Sequence, residues 1–292
     1  SDINGILPQL LPKTDRNLVI VNFNNEKPGN VYPTREALLE AVHAARNAKL
    51  TPYVDNVKNK PLMTNLPKSG RIVKEKKNDK FDYKELTLSN GVTVILKKTD
   101  FKKDQVNLSA TGYGGKSLYG PKDYVNLAVF DDIIGISGLG GFPSMELPKI
   151  LAGKIANAHL SIGDIYTGVG GSSSKRDVET MLQLVYLYFT DITRDDKAFN
   201  KLIDSWKIVL KNRNLSHDVI FSDSLAATIY GHNPRLKPVL MDDLPQIDYA
   251  RILKIARERT ANARGWTFSF IGDFDEPQLR KLICRYLASL PA

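Results

Sequence analysis

Histidine and cysteine are the residue types through which this chain could hold a metal ion or form a covalent intermediate. The chain has four histidines and one cysteine. A zinc site needs three or four converging ligands, and two histidines on one helix must be four positions apart to share a face. No two of the four histidines have that spacing; they are His43, His159, His217 and His232. We interpret Cys284, among the apolar residues of a predicted helix, as a buried and inert thiol.

Two glycine-rich segments and one acidic pair are further candidates for chemistry. Residues 168–174 (GVGGSSS) precede a predicted helix, whose N-terminal N–H groups could bind phosphate. The segment lacks the Gly-x-x-x-x-Gly-Lys-Ser/Thr spacing, so we interpret its serines as helix caps. In residues 112–115 (GYGG), glycine is expected because a side chain would clash. Asp131 and Asp132 point about 100° apart on a helix and do not form a catalytic pair.

The charge balance is basic, with 41 Lys and Arg against 32 Asp and Glu and a formal net charge of +9. Such an excess suits nucleic acid, anionic lipid or acidic ligands as partners. The densest basic stretch, residues 68–80, contains no aromatic residue and is interrupted by Glu75 and Asp79. Nucleic-acid binding favours basic residues interleaved with aromatics on a folded face, so we interpret this stretch as a solvated linker.

Length and composition indicate a folded protein of one large or two ordinary domains. The chain has 292 residues, of which 42% are hydrophobic and 25% charged. A single cysteine excludes an internal disulfide framework. No apolar run approaches the roughly 20 residues that span a bilayer, and the first residues show no signal-peptide pattern. A start at Ser1 favours a processed or cloned piece of a longer chain.

The order of predicted elements divides the chain into three parts. Residues 18–23 (LVIVNF) predict a strand, and Thr34 predicts the cap of a helix that ends near residues 49–52. These two elements are too small to bury a core, so we interpret residues 1–50 as the tail of a preceding unit. Residues 51–80, with prolines at 52, 61 and 67, are predicted to be a linker, and residues 81–292 the main domain.

The main domain is predicted to be α+β, with helices packed on one face of a largely antiparallel sheet. The pair Asn90-Gly91 predicts a hairpin with a type I′ turn, and a third strand ends at Gly112. Strands then group with strands and helices with helices, which is typical of this class. The remaining predicted helices cover residues 123–136, 144–151, 175–189, 196–212, 217–230, 248–260 and 277–287, and the remaining strands 154–162, 165–170 and 266–271.

Several short stretches, taken in order, resemble the pitrilysin/insulinase family of zinc metallopeptidases in its long bacterial form. No single stretch is diagnostic, and their correct order over residues 87–292 carries the resemblance. They are TLSNGVTVIL (87–96), LSATGYGG (108–115), SLY (117–119), ELPKILAGK (146–154), GGSSS (170–174), LVYLYF (184–189), YGHNP (230–234), FIGD (270–273) and LPA (290–292).

The resemblance implies a fold of homologous α+β units, typically four in one chain, around a chamber for peptides. In that family, two histidines and a distal glutamate hold zinc, and a glutamate between the histidines activates water. The motif His-x-x-Glu-His would fall after Leu127-Ala128, where this chain has Val129, Asp132 and Ile133. Both ligand histidines are therefore absent. The region of the distal glutamate, residues 203–210, offers only Asp204.

We therefore expect residues 81–292 to be a non-catalytic unit, the third of four, with no catalytic or metal-binding residue of its own. Its expected role is to form the chamber wall opposite the zinc-bearing half of a metalloendopeptidase. The implied partners are the other units and a peptide substrate, with no nucleic acid and no membrane span. The resemblance favours a bacterial protein in the periplasm or another extracytoplasmic compartment. Alternatives are a stand-alone partner subunit of a separate peptidase chain and a basic module that binds nucleic acid or an anionic surface.

Overall fold

The computed structural model describes residues 5–6, 9–10, 14–23, 28–49, 51 and 60–292. The chain divides into two compact units, Ser1–Asp55 and Asn56–Ala292. The division falls within the segment predicted as a linker, of which residues 52–59 lie outside the described ones.

The first unit contains helix α1 (Arg35–Asn47). It begins where the sequence predicts, because the Thr34 side chain accepts a hydrogen bond from the Ala37 N–H at 3.2 Å. Residues 18–23, predicted as a strand, run as irregular chain, and Phe23 is exposed. A strand needs a neighbour to share its backbone hydrogen bonds, and the described residues of this unit supply none.

The second unit is built on a seven-stranded sheet in the order β1-β2-β3-β9-β4-β7-β6. All neighbours in this sheet are antiparallel except β3 and β9. The α+β class with a largely antiparallel sheet is therefore confirmed. The strands are β1 (Ile72–Asn78), β2 (Tyr83–Leu88), β3 (Thr93–Lys98), β4 (Val106–Tyr113), β6 (Ala156–Ile162), β7 (Tyr166–Ser173) and β9 (Thr267–Gly272), with β5 (Gly138–Leu139) and β8 (Ile192–Thr193) as a separate short pair.

The helices lie close to their predicted positions, and two of them show local breaks. None in the described ranges combines the length and apolar character needed to cross a membrane. The helices of the second unit are α2 (Tyr124–Ala128), α3 (Phe130–Gly135), α4 (Leu147–Ile150), α5 (Val178–Thr190), α6 (Asp196–Asn212), α7 (His217–Ile229), α8 (Tyr249–Thr260) and α9 (Glu276–Leu282). Helix α9 continues into a π-helical turn, Ile283–Leu287.

The two breaks explain two differences from the sequence predictions. The helix predicted over residues 123–136 is divided at Val129, whose φ of −106° and ψ of 8° are not helical. Cys284, predicted to be buried, is half-buried. It lies in the π-helical turn, where the Ala288 N–H bonds to the Ile283 carbonyl five residues earlier. The extra residue in that turn changes which side chains face the core.

The core lies on one face of the sheet, and strand β4 shows how the sequence places it there. Val106, Leu108 and Ala110 are buried, whereas the residues between them are exposed. Helix α5 packs on β6 and β7 from the buried side and contributes eight buried residues. The side chains of the strands therefore alternate between this apolar layer and a polar outer face.

The hairpin between β2 and β3 forms as predicted, but its turn is of another type. Gly91 has a φ of +84°, whereas Asn90 is not among the described residues with positive φ. A type I′ turn needs positive φ at both positions, so that prediction is wrong. The Asn90 amide instead donates to the carbonyls of Leu287 and Leu290, at 2.8 and 3.2 Å, which ties the turn to the C-terminal segment.

Strand β1 lies within the segment predicted as a linker. It pairs antiparallel with β2 at the edge of the sheet and exposes Lys74, Lys76 and Lys77. Glu75 accepts hydrogen bonds from Arg280 at 2.6 and 3.0 Å. A strand of charged residues has no apolar pattern to reveal it, and its lysines discourage further strands from adding to this edge.

Replacing Gly112 by Ala is expected to lower the free energy of unfolding by about 1–3 kcal/mol. A Cβ atom there would lie 2.2 Å from Cε2 of the buried Trp266 ring. Urea unfolding of the purified chain measures the loss. The control is Gly135→Ala in α3, where a Cβ meets nothing within 4 Å and stability should stay unchanged or rise. Equal losses in the two variants would contradict the steric explanation.

Candidate functional site

The three positions that the resemblance assigns to the zinc motif lie around the junction of α2 and α3. Val129 and Ile133 are one helical turn apart, and both are buried, with 3% and 0% of their surfaces exposed. Asp132, which immediately precedes Ile133 in the sequence, is exposed to solvent. The two residues to which the resemblance assigns the ligand positions therefore belong to the apolar core, and neither side chain has an atom that can coordinate a metal.

Other candidate ligands do not gather near these positions. Asp204 lies on α6, where its carboxylate is 2.8 Å from Lys207 Nζ in an exposed ion pair. Within the described part of the chain, no three residues among His, Cys, Asp and Glu are placed to hold a metal ion.

The four histidines are separate from one another and have local roles. His43 bonds to the exposed Asp15 carboxylate at 2.7 Å, and the His159 ring covers Gly170. His217 begins α7, and His232 has a φ of +55° in the turn that follows α7. These contacts are those of ordinary structural residues.

The glycine-rich and acidic candidates also have structural roles in the fold. The Asp177 carboxylate lies at the start of α5 and accepts hydrogen bonds from Ser174 Oγ and the Ile155 N–H, at 2.8 and 2.9 Å. A phosphate there would meet this buried negative charge. The prediction that the serines cap the helix is wrong, because α5 begins at Val178 with Asp177 at its N-cap position, and residues 172 and 173 belong to strand β7. The steric interpretation of residues 112–115 holds, since a Cβ on Gly115 would lie 2.2 Å from the Gly163 carbonyl. Asp131 accepts from the Ile162 N–H at 2.9 Å and so fastens α3 to strand β6.

A small cleft lies directly beside α2, next to the residues that the resemblance assigns to the zinc motif. Its volume is about 130 Å³. Leu127 and Ala128, which immediately precede Val129, form part of its wall. The other lining residues are Lys116, Ser117, Tyr124, Asp164, Arg235 and Leu236. The cleft offers cationic and hydroxyl groups that can bind a carbonyl or carboxylate, and it offers neither a cysteine nor a histidine for catalysis.

Arg235 connects the walls of this cleft. Its two terminal nitrogens donate to the carbonyls of Lys116 and Tyr119, at 2.8 and 2.7 Å. Its guanidinium also lies over the Tyr124 ring, 4.6 Å from the centroid. Sequence reasoning missed Arg235, because a lone arginine after a predicted helix carries no signal in its type or spacing.

A second arginine, Arg251 on α8, holds the start of α2 in place. Its Nε and Nη2 donate to the two carboxylate oxygens of Asp123, both at 2.8 Å, and its Nη1 donates to Glu258 at 3.1 Å. The hydrogen bonds from Arg251 hold the pKa of Asp123 below its usual range. Burial raises the pKa of Tyr119, which donates to Glu258 at 3.0 Å. Opposite charges thus fix the start of α2 against α8.

The Asp123–Arg251 pair predicts a loss of stability in acid. Because the folded state lowers the pKa of Asp123, the pair stabilises the fold at pH values above the pKa of an unfolded aspartate, about 3.9. That contribution is lost as the pH falls through the lower, folded-state pKa. Asp123→Asn should therefore reduce stability at pH 7 and flatten its fall below about pH 4. Urea unfolding at several pH values, with the exposed Asp132→Asn as control, measures both effects; identical pH profiles would contradict the assignment.

Comparison with known proteins places this geometry in a recognised fold. No family model matches the sequence. The chain is 22% identical over its whole length to a protein from Arabidopsis thaliana named zinc protease PQQL-like, of which it spans 28%. It superposes on the periplasmic protease PqqL of Escherichia coli with a TM-score of 0.70 and 23% identity, over 88% of this chain and 28% of that one. It also superposes on the peptidase M16 inactive domain of Pseudomonas fluorescens, with a TM-score of 0.57 and 15% identity, over 72% of this chain and 51% of that one.

This chain has the fold of an M16 peptidase inactive domain. The resemblance to the pitrilysin/insulinase family is confirmed, since the relatives are named as zinc proteases. The chain spans little more than a quarter of the relatives' length, so the similarity covers one part of each of those proteins. These similarities do not align single residues. The assignment of the motif positions to Val129, Asp132 and Ile133 therefore remains a proposal.

Proposed function

We propose that this chain is a non-catalytic part of a zinc metalloendopeptidase, in which it forms the wall of a peptide chamber opposite the zinc-bearing half. The observation that carries the proposal is that Val129 and Ile133, to which the resemblance assigns the histidine positions, are buried apolar residues in a chain with an M16 inactive-domain fold. In this proposal, zinc is held by another part of the parent protein. Residues 81–292 contribute shape and binding groups, and no catalytic residue.

The cleft beside α2 supports a role in holding peptide. It lies next to the proposed motif position, and its cationic side chains can donate hydrogen bonds to a peptide carbonyl or carboxylate. The partners in this proposal are the remaining units of the parent peptidase and a peptide or oligopeptide substrate. PqqL of E. coli is a periplasmic protease, and we propose the periplasm as the location of this protein also.

The same proposal assigns the first part of the chain. Residues 1–50 would be the tail of the preceding unit and residues 51–80 the connection to the degenerate unit. Limited digestion with trypsin tests it: the first cuts should fall within residues 51–80, ahead of strand β1, and leave a core that retains Ile72–Asn78, because that strand pairs with β2.

The decisive test is made in the full-length parent. Asp132→Asn should leave kcat/KM for a peptide substrate within about twofold of the unaltered protein, since a carboxylate without a metal has no water to activate. A non-cleavable peptide with a photoreactive group should label residues in the range 81–292. A folded Asp132→Asn protein with a hundredfold lower turnover, or label confined to other units, would contradict the proposal. So would one tightly held zinc ion in this chain after chelator washing and zinc reloading.

A further inference from the structure

Helices α6 and α7, with the turn that joins them, carry large apolar side chains that nothing in the described chain covers. Neither helix has a fully buried residue. Phe221 on α7 has 67% of its surface exposed, although it is a large aromatic residue. The apolar residues of this pair that are more than half exposed are Ile208, Val209, Leu215, Phe221, Ile229 and Tyr230. We call this set the arm surface.

Helix α7 has the sequence of a buried helix. Its apolar residues lie on several sides, and a helix of that kind is normally enclosed by other elements. Phe221, Leu225 and Ile229 follow one another at intervals of four and so form a continuous stripe. A 13-residue helix without buried contacts is marginal in water, so its stability requires a partner surface.

Three polar side chains of α7 are already hydrogen-bonded within the arm. Ser224 Oγ donates to the Ile220 carbonyl at 2.9 Å, and Thr228 Oγ donates to the Ser224 carbonyl at 2.8 Å. Asp223 is bound by the two terminal nitrogens of Arg213 in the preceding turn. Covering the stripe would therefore leave these three side chains with the partners that they already have.

Both ends of α7 are also fixed. Ser216 Oγ accepts from the Val219 N–H at the N-terminus, and the His232 N–H bonds to the Ala227 carbonyl at 2.7 Å beyond the C-terminus. Gly231 and His232 adopt the positive φ values of that closing turn. These caps favour the helical form of residues 217–229, in which the stripe is continuous.

We propose that the arm surface is the contact through which this unit packs against another unit of the same parent polypeptide. The proposal rests on the proposed function in one respect, that the chain is part of a longer peptidase. Relatives are more than three times as long as this chain, and a tethered unit meets the arm at an effective concentration in the millimolar range. A second copy of the protein is not tethered to the arm surface, so its effective concentration there is not raised in this way.

A membrane surface is a poorer occupant than protein. Helix α7 carries Asp218 and Asp223 and has neither Lys nor Arg. Helices that lie on bilayers are rich in basic residues on their polar face, and 13 residues are too few to span one.

The test uses photocrosslinking in the full-length parent. Phe221→p-benzoylphenylalanine keeps an aromatic ring at the centre of the stripe, and Ile229→p-benzoylphenylalanine provides a second position in case the first variant fails to fold. Lys207→p-benzoylphenylalanine, on the polar side of α6, is the matched control. After irradiation, mass spectrometry should find links from positions 221 and 229 to peptides outside the 292-residue segment. The linked fraction should not change on about tenfold dilution, because the contact is intramolecular.

Three outcomes would overturn the proposal: a linked species of twice the parent mass, links confined to residues 1–292, or a yield no higher than at position 207. The readout does not depend on peptide hydrolysis. A parent that links as expected but cleaves no peptide would refute the proposed function and leave the arm contact standing. An active peptidase whose arm links to a second copy would do the reverse.

Discussion

Leu184→Asp is expected to leave the second unit unfolded at 25 °C. Leu184 lies on α5 with 4% of its surface exposed. Losing the leucine costs about 2–5 kcal/mol, and an unpaired buried carboxylate costs several more. The sum is comparable to the whole stability of an ordinary domain, about 5–15 kcal/mol. Far-ultraviolet circular dichroism and urea unfolding of the purified chain measure the effect.

Ile208→Asp is the matched control for that variant. Ile208 is an apolar helical residue like Leu184, but it lies on α6 and is largely exposed in this chain. The control should keep the native spectrum. If both variants unfolded, or if neither did, the assignment of α5 to the core and of α6 to the surface would be wrong.

Ile133→His should lower the free energy of unfolding by about 2–5 kcal/mol without creating a metal site. Ile133 is fully buried in α3, so an imidazole at this position would be desolvated among apolar side chains that cannot accept or donate a hydrogen bond. The triple variant Val129→His, Asp132→Glu, Ile133→His restores the motif in sequence. It should still bind no zinc, because two of its three new side chains replace core residues.

The measurements for this second variant are urea unfolding and metal analysis after dialysis against zinc. Asp132→Glu alone is the control, and it should behave like the unaltered chain because residue 132 is exposed. A folded triple variant that retains one zinc ion per chain would contradict the proposal that core packing has replaced a zinc site at residues 129–133.

Most of the fold could be predicted from sequence because its elements carry local signals. The Thr34 cap, the alternation in β4 and the apolar period of α5 each concern residues near one another in the chain. Strand β1 has no such signal, since most of its residues are charged and only its backbone pairing with β2 defines it as a strand. The turn at Asn90 was misassigned because its side chain bonds to carbonyls almost 200 residues away.

The candidate site was less accessible to sequence reasoning. The absence of the two histidines could be recognised only through the resemblance, because Val129 and Ile133 by themselves are ordinary core residues. The roles of Arg235 and Arg251 depend on contacts with residues more than a hundred positions away. Neither spacing nor residue type reveals such contacts before the chain is folded.

The place of β9 in the sheet has a consequence for how the protein is made. β9 is the last strand in sequence, yet it lies fourth in the sheet, between β3 and β4. During synthesis, the β1–β2–β3 ribbon and the β4–β7–β6 ribbon have no common neighbour until residues 267–272 leave the ribosome. Until then each ribbon keeps one inner edge open, and the apolar layer beneath them is incomplete. A chain that stops before Thr267 therefore has two half-sheets in place of one domain, which makes late truncations as damaging as early ones.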